Sequence, residues 1–182
     1  MSKNTKIVCE AAVMTALALA LSYVKIPIGL AFGGFGGSID FVMIPILVLA
    51  IRRGFGWGVA CGLVFGTLKF FFAGGVAINW QSMLLDYSLA YAAVGFAGLL
   101  KKAPVAGAVL GCVCRFIIHY ISGVTIYAMW MPEEFMDMTM TSPAVYSLLY
   151  NGTYMVPNSI IAIIVIIILS RVNKGSILKP AD

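Results

Sequence analysis

The chain of 182 residues is 62% hydrophobic and only 10% charged, with a mean hydropathy of +1.01. A soluble domain has about a quarter charged residues, so this composition excludes one and leaves a single polytopic helical bundle in a lipid bilayer. The net charge of +5 does not indicate nucleic acid, because the basic residues stand in short clusters between apolar runs, where they act as topology signals.

Taken in order, the first predicted helix covers about 7–27 and has Ala12, Ala16 and Ala20 at every fourth position. Such a row of small side chains lets another helix approach closely, whether from the same chain or from a partner. GLAFGGFGGS (29–38) has five glycines in ten residues and reads as a flexible outer loop favouring neither helix nor strand. The second segment, about 39–51, opens with Asp40, contains Pro45 and is short for a span, a feature that often borders a ligand cavity. Arg52-Arg53-Gly54 turns the chain into a third helix, about 55–73, with Lys69 near its outer end. The fourth runs over about 80–100 and stops at Lys101-Lys102. The fifth, about 104–130, starts at Pro104, and the sixth, about 143–170, ends before Arg171.

Nine basic residues (Lys3, Lys6, Arg52, Arg53, Lys101, Lys102, Arg171, Lys174, Lys179) fall on one side, and two (Lys25, Lys69) on the other. By the positive-inside rule both termini are cytoplasmic. The expected fold is therefore an all-α integral membrane protein, a six-transmembrane-helix bundle forming one domain.

Within these apolar helices three polar residues stand out. Ionisable residues in hydrocarbon are costly and are functional-site candidates. At a rise of about 1.5 Å per residue, Asp86 lies roughly 9 Å, His119 roughly 16 Å and Asn151 roughly 13 Å from the outer ends of their helices. Three helices thus place polar groups at a similar depth, in the outer half. Asp86 reads either as an ion-pair partner of Arg115 or Lys69, or as the group that meets a cationic or heteroaromatic ligand. Tyr87 adjoins it. Gly123, one turn beyond His119, would let a flat ring lie against the backbone, and Tyr127 and Trp130 offer aromatic faces to a cation.

Other chemistry finds little support. GxxxxGK[ST], HExxH and GxSxG do not occur and there is one histidine, so the chain is read as non-enzymatic, with no cofactor and no metal site. Cys9, Cys61, Cys112 and Cys114 fit no zinc or redox spacing. Met129, Met131, Met136, Met138 and Met140 crowd one outer loop and read as adaptable packing, not a Cu(I) site.

The AxxxA row at Ala12–Ala16, IPILVLAIRRG (44–54), the Asp86-Tyr87 pair, His119 with Gly123, and Tyr146-Ser147-Leu148 leading to Asn151-Gly152 together resemble the thiamine-binding S components of energy-coupling factor (ECF) transporters, over nearly the whole chain. The resemblance implies a small subunit of a bacterial plasma membrane that binds thiamine tightly from outside. Its partners would be a transmembrane coupling subunit and two ATPase subunits. It also implies that Asp86, Tyr87, His119, Gly123, Tyr127, Tyr146 and Asn151 line the vitamin site, and that Ala12 and Ala16 meet the partner. The chain departs from the family where Asp86 replaces the usual glutamate, where Tyr127 replaces a tryptophan, and where Phe35, Gly36 and Gly37 provide no outer-loop tryptophan. These changes reshape the pocket and keep a related pyrimidine or another cationic vitamin open as substrate. The alternative class is a self-sufficient proton-coupled carrier, in which Asp86, Arg115 and His119 would form a relay.

Overall fold

A computed structural model describes residues 2–32 and 36–180. Six apolar helices pack in one bundle: α1 (Lys3–Leu21), α2 (Met43–Arg53), α3 (Phe55–Phe72), α4 (Trp80–Leu100), α5 (Pro104–Thr125) and α6 (Pro143–Arg171). All but α2 are long and apolar enough to cross a membrane. Side chains such as Val13, Leu17, Val64, Val113, Ile117, Ile160 and Ile164 are exposed on the outside, the arrangement expected where the surrounding solvent is lipid.

The short helix α2 is the centre of the bundle. It contacts each of the other five helices, and Ile46, Leu47, Leu49, Ala50 and Ile51 are completely buried. It begins at Met43, not near residue 39 as the sequence suggests, because Ser38–Asp40 forms a strand, β2, paired antiparallel with β1 (Lys25–Pro27). The same pairing ends α1 at Leu21, six residues before the expected boundary. Pro27 favours extended backbone at Ile26 and cannot continue a helix. Part of the glycine loop is also ordered, contrary to expectation: Gly29–Phe32 makes a 3-10 turn, while Phe35 lies outside the described residues.

Gly54 closes the α2–α3 turn with φ +94°, a conformation that suits glycine. Beyond it α3 presents Gly58, Gly62 and Gly66 to α4. A Cβ on Gly62 or Gly66 would overlap the Tyr91 or Tyr87 carbonyl, and Gly95 of α4 meets the α3 backbone in return. This close approach sets Tyr91 against Lys69 of α3 and the Tyr87 ring against Phe70.

α4 opens with a capping box between Asn79 and Ser82 and widens to π geometry over Leu84–Leu89. Asp86 sits in that π segment, a helix irregularity frequent at functional sites. α5 ends at Thr125, short of the expected 130, and the chain continues through a turn into a 3-10 turn, Ala128–Trp130. A small hairpin follows, β3 (Glu134–Phe135) with β4 (Met138–Thr139).

At the opposite end, Glu10 of α1 accepts from Arg52 Nε and Arg53 Nε, both at 2.6 Å. This ties α1 to the α2–α3 turn. The opposite face of α1 carries Ala12, Ala16 and Ala20, all exposed, while Thr15 and Ala18 are buried in the bundle.

Candidate functional site

The outer half of the bundle encloses a cavity of about 240 Å³ reached by α3, α4, α5, α6 and the β1–β2 ribbon. Asp86, Tyr87, His119, Gly123, Tyr127, Tyr146 and Asn151 all face it.

Its first pole is built on Asp86. The carboxylate Oδ1 accepts from His119 Nδ1 at 3.2 Å, and the Tyr127 hydroxyl reaches both Asp86 and Ser82. Burial, with the Asp86 charge beside it, pushes the Tyr127 phenol up to about 12, so it remains an O–H donor. Of the two readings of Asp86, the ion pair is not seen: neither Arg115 nor Lys69 pairs with it. Among the described residues Asp86 has no lysine or arginine partner. With His119 Nδ1–H given to the carboxylate, Nε2 of the neutral ring is an acceptor, and it has no hydrogen-bond partner.

The second pole explains where the two cations go. Lys69 Nζ donates to Asp40 Oδ2 at 3.0 Å and to the Tyr91 hydroxyl at 2.7 Å. Arg115 Nη2 donates to the same hydroxyl at 3.0 Å, with its guanidinium 4.2 Å from the Tyr91 ring centroid. Asp40 is held in turn by Asn158, whose Oδ1 accepts the Asp40 N–H at 2.8 Å. Arg115 is 4% exposed, and its Nε and Nη1 have no hydrogen-bond partner. A buried donor left without a partner costs free energy, so an acceptor brought by a ligand would be favoured there.

Aromatic residues form the remaining wall. Tyr146, Tyr150 and Tyr154 recur every fourth residue on one face of α6, with ring centroids 5.7 and 5.9 Å apart. Tyr154 meets the His119 ring edge-on at 6.1 Å, and Phe135 of the hairpin caps Tyr146 at 5.3 Å. Trp130 also faces the cavity.

Three of the cavity residues also hold their neighbours in place. Asn151 gives its Nδ2 protons to Ser147 O at 2.9 Å and Ser147 Oγ at 3.1 Å, while its Oδ1 accepts from Tyr154. Gly123 borders the cavity, but a Cβ there would strike the Ser147 side chain, so its bareness serves the α5–α6 approach. Tyr87 pins the α3–α4 loop, its hydroxyl accepting from Val76 N at 2.7 Å.

Sequence reasoning passed over Asp40 and Tyr91 as site residues, and with them Tyr150 and Tyr154. The tyrosine spacing of four on α6 was a visible signal. Asp40 was not, since its pairing with Lys69 crosses 29 positions. Among the described residues no three His, Cys, Asp or Glu side chains cluster as a metal site would require.

Residues 8–177 match the family described as Thiamine transporter protein. The chain belongs to this family. It is 33% identical to the thiamine transporter ThiT of Bacillus subtilis over 92% of both chains. It is 29% identical to ThiT of Lacticaseibacillus paracasei, over 93% of this chain and 89% of that one. A solved structure of ThiT from Listeria monocytogenes superposes with a TM-score of 0.83 at 25% identity, covering 98% of this chain and all of the other. The S component of a bacterial ECF transporter superposes with a TM-score of 0.64 at 18% identity over 93% of this chain and 95% of that chain, a likeness of fold.

Proposed function

We propose that this protein is the substrate-binding membrane subunit of an ECF-type vitamin importer in a bacterial plasma membrane, that it takes thiamine from outside, and that it has no catalytic activity. The observation that carries this reading is Asp86, a carboxylate in the cavity whose neighbours are a histidine and a phenol and not a cation. Thiamine is a thiazolium cation joined to an aminopyrimidine. Its positive ring supplies the charge that Asp86 lacks, its amino group suits the acceptor at His119 Nε2, and its hydroxyl oxygen suits the free donors of Arg115. Tyr127, Trp130 and Tyr146 supply aromatic faces for the flat cationic rings. Tyr87, Gly123 and Asn151 complete the site, Asn151 by holding Ser147 and Tyr154 in place.

The family assignment and the ThiT relatives support the substrate. The importer assembly draws on the S-component likeness and on the exposed alanine row of α1. Ala12 and Ala16 would meet a transmembrane coupling subunit, and two ATPase subunits would drive release.

The test is calorimetric titration of the purified chain with thiamine and with aminopyrimidines lacking the thiazolium, followed by uptake into vesicles containing the chain alone. Tight thiamine binding without accumulation is expected. Accumulation by the chain alone, driven by a proton gradient, would establish the carrier class instead, and preference for the uncharged pyrimidine would remove the role given to Asp86.

A further inference from the structure

The basic end of the bundle holds a cleft of about 270 Å³ lined by Lys101, Lys102, Pro104, Ser170, Leu178, Lys179 and Pro180. Lys101 and Lys102 come from the α4–α5 turn. Lys179 is brought to them because Val172–Leu178 folds back as a 3-10 run after α6. That run is anchored just before Lys179: Arg52 Nη1 donates to Ile177 O at 2.5 Å, and Leu178 is 3% exposed in the main core.

Three features of this cleft point to a ligand. Its three lysines have no ion-pair partner among the described residues, and none of its lining residues is acidic. Glu10, an acid at this end, already serves Arg52 and Arg53, and Asp182 lies outside the described residues. The flank is apolar and faces outward, with Leu99, Leu100, Ile168 and Val172 all exposed. Three uncompensated cations beside a lipid-facing apolar strip, at the depth where the basic residues mark the membrane boundary, match an amphipathic anion.

We propose that this cleft binds the phosphate group of an anionic phospholipid of the cytoplasmic leaflet, with the acyl chains lying along Leu99, Leu100 and Ile168. Free phosphate shares the headgroup chemistry but would leave the apolar flank unused. On α4, α5 and α6 the outer-cavity residues nearest to it are Tyr91, Arg115 and Tyr154, roughly 15 Å or more away along the helices at about 1.5 Å per residue, so it stands apart from the thiamine assignment.

The experiment compares the native chain with the variant Lys101→Gln/Lys102→Gln/Lys179→Gln, purified in detergent and delipidated. Phosphatidylglycerol, phosphatidylcholine and inorganic phosphate are titrated separately, read by native mass spectrometry and by the thermal melt. The native chain should retain one phosphatidylglycerol and melt higher with it, and the triple variant should bind it at least roughly 10-fold more weakly, with thiamine binding unchanged. Lys102→Glu, altering one exposed side chain, gives the same comparison should the triple variant fold poorly. Equal phosphatidylglycerol binding by native and variant chains, or equal binding of phosphatidylcholine, would overturn the site. An equal melt shift with inorganic phosphate alone would overturn the lipid as its occupant.

Discussion

Asp86 on α4 and His119 on α5 meet at 3.2 Å across the outer cavity, oxygen to Nδ1. The contact fixes the ring so that Nε2, which has no partner, is available to a ligand. Removing the charge while keeping the shape isolates its part in binding. Asp86→Asn should weaken thiamine binding by roughly 30-fold or more, the scale expected when one member of a desolvated charged contact worth about 2–5 kcal/mol is lost. Titration calorimetry of a variant whose melt matches the native chain checks this, and an unchanged affinity would move the cation site away from Asp86.

The second pole should behave differently, as an element of stability. Lys69→Met leaves Asp40 buried without its cation, and breaking a buried pair in this way costs about 3–5 kcal/mol. The melting temperature without ligand should fall markedly. Adding Asp40→Asn to Lys69→Met should recover much of the loss, because the stranded charge is gone. If the double variant melts no higher than the single one, the pair is not the source of the effect.

Arg115 separates binding from stability in another way. Its Nη2 holds Tyr91 while Nε and Nη1 are free. Arg115→Lys should therefore keep the fold yet lower affinity for thiamine more than for an analogue without the hydroxyl. Equal losses for both ligands would mean that the free guanidinium edge does not face that oxygen.

The α3–α4 seam tolerates no added bulk. Gly62→Val would press against the Tyr91 carbonyl, and overpacking of this kind costs about 1–3 kcal/mol. A lower melt together with weaker binding is expected, since the seam also positions Tyr87 and Tyr91. A variant with native melt and affinity would show that the helices can part there at little cost.

Ala12→Trp with Ala16→Trp tests the exposed row of α1. Thiamine binding should survive, because those side chains point away from the bundle, while co-purification with the proposed coupling subunit and ATP-driven uptake should be lost. Loss of ligand binding would instead make the row part of the fold.

The sequence by itself determined the membrane class, the orientation, the approximate helices and the shared depth of Asp86, His119 and Asn151. Each of these rests on local hydropathy, charge clusters or the fixed rise of a helix, which act along the chain. The tertiary structure decided which charges meet. The sequence offered Lys69 to Asp86, and the packing gave it to Asp40. Two rows of small residues, Ala12-Ala16-Ala20 and Gly58-Gly62-Gly66, have the same spacing, yet one is exposed and the other is buried against α4. Spacing reports that a face is smooth, and only packing across the bundle reports what lies on it. The β1–β2 pairing was equally beyond reach, because three residues on each strand carry too little local preference to overrule an apolar helical pattern until the partner strand is in place.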